Sequence, residues 1–148
     1  MSSTYTSLHY HLVFSTKHRQ ASITDSWRNR LHSYLGGAVR GLEGFPQGVG
    51  GVEDHVHLLV GLTPNHRLAD FLRELKKSSS KWVHDETGSR DFAWQEGYAA
   101  FSVSPPARID VAHYIANQVE HHRQRSFRDE LIELLQRAGV EYDPKYLD

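Results

Sequence analysis

The chain has 148 residues, enough for one domain with a substantial core but too few for a second module. It contains no cysteine, which excludes a disulfide framework and a thiolate zinc site, and it has no apolar stretch of the ~20 residues that a membrane span requires, so we expect a cytoplasmic protein. The net charge of −1 argues against a broad basic surface of the kind that binds duplex DNA, so any contact with nucleic acid must come from local clusters.

The first half of the chain is predicted to form a strand, a helix and a hairpin. Residues 8–15 alternate between apolar and polar side chains and are rich in β-forming types, which predicts the first strand. Residues 24–43 carry apolar side chains at helical spacing and predict a helix. Residues 45–49 and 52–62 predict the two strands of a hairpin, with its turn at Gly50-Gly51.

The second half is predicted to contain three helices and one short strand region. Helical patterns over residues 68–84 and 108–124 flank an aromatic strand region at residues 92–103. A last helix is predicted over residues 127–138, where Gly139 ends it. The part of the chain that follows the last strand is therefore expected to be helical.

The predicted order is strand, helix, strand, strand, helix, strand, and then further helices. This order is typical of an α+β fold with a ferredoxin-like split βαβ arrangement, in which an antiparallel sheet carries helices on one face and C-terminal helices follow. There is no internal repeat, linker or low-complexity segment, so we expect residues 1–148 to form a single domain.

A pair of histidines two residues apart is the first candidate for function. His55 and His57 lie on the second predicted hairpin strand, and side chains two apart on a strand project from the same face. Val56, Leu58 and Val60 fall on the other face and are expected to pack behind them. The two imidazoles can therefore converge on one divalent metal ion. The alternative is that both histidines lie on a solvated strand face.

The second motif is Tyr114-Ile115-Ala116-Asn117-Gln118, within a predicted helix. Residues four apart share a helix face, so the amide oxygen of Gln118 is expected one turn beyond the hydroxyl of Tyr114. Two imidazoles and an amide oxygen, without a thiolate, suit Mg²⁺ or Mn²⁺ at least as well as zinc. A metal ion beside a phenol provides the groups for phosphoryl transfer. The alternatives are a tyrosine that packs in the core and a glutamine amide at the surface.

The two motifs, in this order, resemble those of the single-tyrosine HUH transposases of the insertion-sequence 200/605 family, the IS200-like transposases. Flanking segments at residues 11–17, 94–104 and 141–147 are also similar to this family, so the resemblance spans nearly the whole chain. It implies a DNA transposase that cleaves single-stranded DNA at transposon ends, forms a 5′-phosphotyrosine intermediate and rejoins strands. The catalytic residue would be Tyr114, and the metal ligands would be His55, His57 and Gln118.

The resemblance also implies two partners, hairpin-bearing single-stranded DNA and a second copy of the chain. In the homodimer the tyrosine helices cross, so that Tyr114 of one subunit serves His55 and His57 of the other. The Ser104-Pro105-Pro106 segment cannot continue a sheet and is stiff, which suits a helix carried away from its own domain. No membrane partner is expected.

Further histidines lie close to the two motifs or repeat their pattern. His9 and His11 form a second His-x-His pair on the first strand, and His11 is a candidate neighbour that supports the metal ligands without binding the ion. His121 and His122 follow Gln118 and are expected to line a DNA groove or to face solvent rather than to bind metal.

Local clusters of basic and aromatic residues are candidates for contacts with DNA. A solvated surface is the ordinary explanation for any one basic cluster, and most aromatic side chains in a chain of this size belong to the core. Together, local positive charge and aromatic side chains without an overall basic charge favour single-stranded over duplex DNA. The basic candidates are Lys17, Arg19, Lys76, Lys77, Lys81 and Arg123, and the aromatic candidates are Trp82, Trp94, Tyr98 and Phe101.

Other functions are compatible with parts of this pattern. A domesticated relative would use the same chemistry on host DNA, as a hairpin-specific single-stranded DNA nuclease. An inactive relative would bind DNA hairpins without cleavage, but the presence of His55, His57, Tyr114 and Gln118 argues against it. A plain metal-dependent hydrolase would have no need for Tyr114.

Overall fold

An antiparallel sheet of four strands forms the centre of the fold. The computed structural model describes residues 3–122 and 125–147. The strands are β1 (Leu8–Ser15), β2 (Phe45–Gly51), β3 (His55–Leu62) and β4 (Ala99–Ser102), and they lie in the order β2-β3-β1-β4. This confirms the predicted α+β class with a ferredoxin-like antiparallel sheet.

Two long helices, α1 (Asp25–Gly41) and α2 (Leu68–Thr87), pack together over one face of the sheet. Alternate residues of the two central strands point into the space between sheet and helices, and full burial of one such aliphatic side chain contributes about 1.5–3 kcal/mol. This core includes Leu12, Phe14, Leu31, Leu35, Val56, Leu58, Val60, Leu72 and Leu75, each at most 2% exposed.

The opposite face of the sheet is covered by the C-terminal helices. Helix α3 (Arg108–Ala116) packs on β2 and β3 and is followed by α4 (Gln118–His122) and α5 (Phe127–Ala138). Because both faces are covered, all eight residues of β3 are buried. His55 and His57 therefore lie beneath the C-terminal helices and not on a solvated strand face.

The hairpin turn does not lie at Gly50-Gly51, and that part of the prediction was wrong. β2 continues through Gly51, and residues 52–54 connect it to β3. Gly50 is a point of close approach, since a Cβ atom there would lie 2.2 Å from the carbonyl oxygen of Ile115 in α3. The glycine therefore allows a helix to pack directly on the strand rather than allowing the chain to turn.

The tyrosine helix predicted over residues 108–124 is interrupted. Helix α3 ends at Ala116, and Asn117 departs from helical geometry with φ −102° and ψ 25°. Tyr114 and Gln118 consequently lie on two separate helical segments. The last two residues of the predicted helix, 123 and 124, lie outside the described residues.

The aromatic region predicted as a strand at residues 92–103 contributes mainly to the core. Only Ala99–Ser102 forms β4, while Trp94 makes a single bridge with Thr16 of the loop after β1. The ring of Trp94 packs edge-on against Phe14, with ring centroids 4.7 Å apart. Its side chain is only 8% exposed, so it fills the core and cannot stack on a nucleic-acid base.

The ends of the other helices follow local signals. Helix α2 runs three residues beyond the predicted end at 84, to Thr87, where Gly88 adopts a left-handed φ of 73°. Helix α5 has the predicted bounds, and the Ser126 hydroxyl accepts a hydrogen bond from the Asp129 amide at 3.2 Å. Within residues 3–122 and 125–147, no helix has the length and apolar character needed to cross a membrane.

Candidate active site

His55 and His57 lie side by side on β3, and each ring is held by a partner at its Nδ1 atom. His55 Nδ1 donates to Asp54 Oδ1 at 2.7 Å, and His57 Nδ1 lies 2.7 Å from His11 Nε2. For His57 Nε2 to present a lone pair to a metal ion, Nδ1 carries the proton and donates to His11. Both histidines are fully buried, and the Nε2 atoms of His57 and His55 lie 3.0 and 3.4 Å from the same carboxylate oxygen, Glu130 Oε1. His11 thus occupies the supporting position considered for it.

Gln118 joins this pair from α4. Its Oε1 atom lies 3.1 Å from His55 Nε2, and its amide donates to Glu130 Oε2 at 3.1 Å. The side chain is almost fully buried, which rules out a surface amide. The structure therefore brings Gln118 to His55, although the predicted helical register with Tyr114 is broken at Asn117. Its role as a metal ligand stays a prediction.

The Tyr114 hydroxyl reaches the same site from α3. It donates a short hydrogen bond to Glu130 Oε2, and its ring lies edge-on to that of His57 with centroids 5.8 Å apart. Burial and the hydrogen-bonded, negatively charged Glu130 both raise the pKa of Tyr114, so the phenol keeps its proton at neutral pH. The candidate nucleophile and candidate metal ligands meet within one chain.

Glu130, on α5, is the main residue that sequence reasoning missed. Its side chain is fully buried, and its Oε1 atom lies 3.0 Å from His57 Nε2, 3.1 Å from His122 Nε2 and 3.4 Å from His55 Nε2. One sequence signal pointed to it. Glu130 falls three residues after Phe127, on the buried face of an amphipathic helix, where an unpaired carboxylate would be costly.

His122 also lies in the site, so the expectation that it lines a groove or faces solvent was wrong. Its Nδ1 donates to the carbonyl oxygen of Arg125 at 3.0 Å, and its Nε2 lies 3.0 Å from Gln118 Oε1. His121 packs against the ring of Tyr114, with centroids 4.6 Å apart. His9 lies away from the site, within hydrogen-bonding distance of Gln47 Oε1 at 3.0 Å.

The buried charges of the site are set by these contacts. Burial lowers the pKa of His55, but hydrogen bonds to Asp54 and Glu130 outweigh it and raise the pKa to about 9. Burial dominates at His57 and lowers its pKa to about 4. Burial would raise the pKa of Glu130, yet hydrogen bonds from His122, His55 and His57 hold it far below its usual range. Hydrogen bonds from the histidines therefore favour an anionic Glu130, and Glu130 in turn favours the protonated form of His55.

The donor set fits a divalent cation. Because His55 Nδ1 and His122 Nδ1 both donate to oxygens, their Nε2 atoms are the ones that would bind a metal ion, and His55 would release its second proton on doing so. Both Nε2 atoms face the same oxygens, Gln118 Oε1 and Glu130 Oε1. The ligand atoms of His55, His122 and Glu130 all lie within 4.8 Å of one another, a spacing that can hold a metal ion.

The predicted basic residues that the structure describes differ in their surroundings. Lys17, Lys76 and Lys77 line one cleft, but the Lys76 ammonium donates to the carbonyl oxygens of Gln95 at 2.6 Å and Gly97 at 2.7 Å, and burial lowers its pKa. Lys76 therefore holds a loop of its own chain.

The remaining DNA-contact candidates differ in exposure. Lys81 is exposed and pairs with Asp85 at 2.6 Å, and Arg19 is half-buried in a short turn after β1. Arg123 lies outside the described residues. Trp82 stacks on Tyr34 with centroids 5.4 Å apart. Tyr98 is 43% exposed, and Phe101 is half-buried with its ring 6.0 Å from that of His11.

Residues 4–118 match the family described as "Transposase IS200 like", and the chain belongs to this family of transposases. It is 29% identical over 119 residues to the ISDra2 transposase TnpA of Deinococcus radiodurans, a match that covers 75% of this chain and 84% of that protein. It is also similar to a crystal structure of a transposase from Deinococcus radiodurans R1, with 27% identity, a TM-score of 0.64, and coverage of 80% of this chain and 95% of that one.

A second solved structure supports the fold alone. The REP-associated tyrosine transposase bound to a REP hairpin is 15% identical to this chain, with a TM-score of 0.55 and coverage of 78% of this chain and 70% of that one. The family match ends at residue 118, so it includes both histidines of β3, Tyr114 and Gln118. His122 and Glu130 lie beyond its end.

Proposed function

We propose that this transposase cleaves and rejoins single-stranded DNA at transposon ends through a 5′-phosphotyrosine at Tyr114. The observation that carries the proposal is the buried cluster in which the Tyr114 hydroxyl contacts a carboxylate shared with His55 and His57. Membership of the IS200-like transposase family supports the same conclusion.

The roles of the residues follow from their chemistry. His55, His57 and Gln118 would hold Mg²⁺ or Mn²⁺, which when bound supplies a Lewis acid for a phosphate oxygen. The Tyr114 hydroxyl loses its proton and its oxygen attacks the scissile phosphorus. A bond between that oxygen and phosphorus forms, the bond from phosphorus to the 3′ oxygen breaks, and the released 3′ oxygen gains a proton. The phosphotyrosine conserves the phosphodiester, so a later DNA hydroxyl can displace Tyr114 without ATP.

We propose hairpin-bearing single-stranded DNA as the substrate. The structure with a REP hairpin is consistent with this choice. Phe127, whose buried ring stacks on that of His55 with centroids 4.2 Å apart, lines a cavity together with Tyr98 and Tyr146, which are 43% and 74% exposed. Exposed aromatic rings of this kind stack on unpaired bases. Among the basic candidates, the exposed Lys17, Lys77 and Lys81 are better placed for phosphates than Lys76, whose ammonium is occupied.

We also propose a homodimer whose active sites are shared between subunits, as the family resemblance implies. The tyrosine segment exposes two apolar side chains, Ile109 at 70% and Val119 at 50%, which a second subunit could cover. In the single chain, Tyr114 lies beside its own histidines. A shared site would therefore form the same contacts by exchange of the C-terminal helices between two chains.

A domesticated nuclease with the same chemistry is the nearest alternative, and an inactive hairpin-binding protein is the next. Cleavage followed by strand joining separates the transposase from a nuclease, because a nuclease releases its products. Formation of a covalent adduct separates both enzymes from a binding protein.

The adduct experiment tests the nucleophile directly. Purified protein is incubated with Mn²⁺ and a hairpin-bearing single strand, and we expect a protein–DNA adduct that survives denaturation. Tyr114→Phe removes only the attacking oxygen, so the adduct should disappear while hairpin binding, measured by fluorescence anisotropy, stays within about twofold. An adduct formed at normal yield by Tyr114→Phe would show that another residue attacks the phosphate.

A further inference from the structure

We propose that Glu130 and His122 are additional ligands of the divalent ion that His55, His57 and Gln118 hold. The inference rests on the proposed function for the presence of the ion. Neither residue belongs to the motifs that define the site in sequence, and both follow the end of the family match at residue 118. They reach the site because α4 and α5 fold back over the sheet.

The donor atoms of the cluster are spaced as the ligands of one ion would be. In an octahedral site with bonds of about 2.1 Å, neighbouring ligand atoms lie roughly 3 Å apart. Five distances between donor atoms of this cluster fall between 3.0 and 3.4 Å. Glu130 Oε1 takes part in three of these distances and His122 Nε2 in two. If only His55, His57 and Gln118 bound the ion, Glu130 and His122 would not need to lie at ligand spacing.

The ring of His122 is oriented with its Nε2 atom toward the other donor atoms. A backbone carbonyl can only accept, so the hydrogen bond to Arg125 fixes a proton on His122 Nδ1. The other ring nitrogen then points at two oxygens, on Gln118 and Glu130, that have no proton to give. A cation between these three atoms satisfies all of them at once. This is the arrangement by which outer contacts orient metal-bound histidines.

The two oxygens of the Glu130 carboxylate contact different groups. Oε1 faces the imidazole nitrogens, whereas Oε2 accepts hydrogen bonds from the Tyr114 hydroxyl and the Gln118 amide. One carboxylate therefore spans the metal ligands and the nucleophile. As a ligand it would also add a hard, charged oxygen to the site, which favours Mg²⁺ and Mn²⁺ over softer ions.

Metal binding to the full chain tests the assignment without relying on activity. Isothermal titration with Mn²⁺ is compared for the wild type, Glu130→Gln and Asp129→Asn. The control removes the same charge from the neighbouring exposed residue of α5. We expect Glu130→Gln to weaken Mn²⁺ binding by at least about 10-fold and Asp129→Asn to change it by less than about twofold.

Pulsed electron paramagnetic resonance of bound Mn²⁺ tests His122 separately, because it counts coordinated imidazole nitrogens. We expect three in the wild type and two in His122→Asn. An unchanged count removes His122 from the ligand set, and unchanged affinity in folded Glu130→Gln removes Glu130. If Glu130→Gln does not fold, as judged by circular dichroism, Glu130→Asp replaces it, and wild-type affinity in that variant with its shortened carboxylate counts against Glu130.

His57→Ala distinguishes failure of this inference from failure of the proposed function. If His57→Ala loses Mn²⁺ while Glu130→Gln and His122→Asn keep it with the wild-type nitrogen count, the ion is bound without the two additional residues. If His57→Ala also binds Mn²⁺ as tightly as the wild type, the metal site of the proposed function is itself misplaced.

Discussion

The histidines of this protein have different pKa values because their immediate contacts differ. Burial lowers the pKa of His55, but hydrogen bonds from its ring to two carboxylates outweigh this effect and raise the pKa to about 9. His11 has no carboxylate hydrogen-bond partner in the described part of the chain, and burial followed by repulsion from His57 lowers its pKa to about 3. His32, on α1, is a third case that lies outside the metal site. Burial and the adjacent Arg28 lower its pKa to about 4, and its buried Nε2 has no hydrogen-bond partner among the described residues.

We predict that His32 destabilises the fold in mild acid. The pKa of His32 is lower in the folded chain than in the unfolded chain. Its contribution to the free energy of unfolding is therefore fully present above pH 6.5 and is lost as pH falls toward 4. At pH 5.5 the loss should be about 1 kcal/mol. Urea unfolding at pH 7.5 and 5.5 measures it. The stability of the wild type should fall by about that much more than the stability of His32→Leu, in which all other histidines are retained. Equal falls would mean that His32 binds a proton in the folded chain as readily as in the unfolded one.

At the level of helices and strands, the sequence predicts those features that interactions between neighbouring residues determine. Helix α5 has its predicted bounds because its apolar period, its Ser126 cap and its terminal Gly139 are all local. The placement of His55 and His57 on the same face of one strand is likewise predictable from the two-residue period of a strand. Glu130 was not predictable in the same way, since its partners are 73 and 16 residues distant in sequence, at His57 and Tyr114. Only the folded chain brings these groups together.

At Gly50 and in the interrupted tyrosine helix, the local sequence signal predicts a structure that the folded chain does not have. A Gly-Gly pair is a turn signal when only its neighbours are considered. Here Gly50 lies within β2 because the backbone of α3 passes over it. Asn117 interrupts a segment whose spacing is helical, and the interruption accompanies a Gln118 side chain buried against His55. Tertiary packing overrides the local signal at both places.

We predict that Gly50→Ala separates α3 from the sheet. The new Cβ would lie 2.2 Å from the carbonyl oxygen of Ile115, which is backbone and cannot rotate away. We expect a loss of about 1–3 kcal/mol in the free energy of unfolding, together with a reduced adduct yield, because Tyr114 lies one residue before the displaced carbonyl. Urea unfolding and the adduct assay measure the two effects.

Gly48→Ala is the matched control on the same strand. Its Cβ would meet Leu59 Cβ at 3.8 Å and Ala112 atoms at 3.9 Å, which are ordinary contacts. The control should retain both stability and adduct formation. Similar behaviour of the two variants would mean that close packing of α3 on Gly50 is unimportant for the site.

At the scale of the whole molecule, the position of the C-terminal helices decides how many chains make one active site. In the single chain, α3 packs on its own β2 and β3, and Tyr114 meets Glu130 of the same chain. The prolines at 105 and 106 form a short 3-10 turn that leads into α3 rather than a straight spacer. Exchange of the C-terminal helices would keep every contact of the site while placing Tyr114 and His55 on different chains.

Complementation between two inactive variants distinguishes the shared site from the single-chain site. Tyr114→Phe and His55→Ala are mixed under conditions that exchange subunits, and exchange is verified by co-purification through different tags. If the helices are exchanged, each heterodimer has one site with both defects and one intact site, so a random mixture should recover about one quarter of the wild-type adduct yield. If each chain builds its own site, every site in the heterodimer carries one defect, and no adduct should form. Proven exchange without recovery would therefore reject the shared homodimer and assign catalysis to the arrangement within one chain.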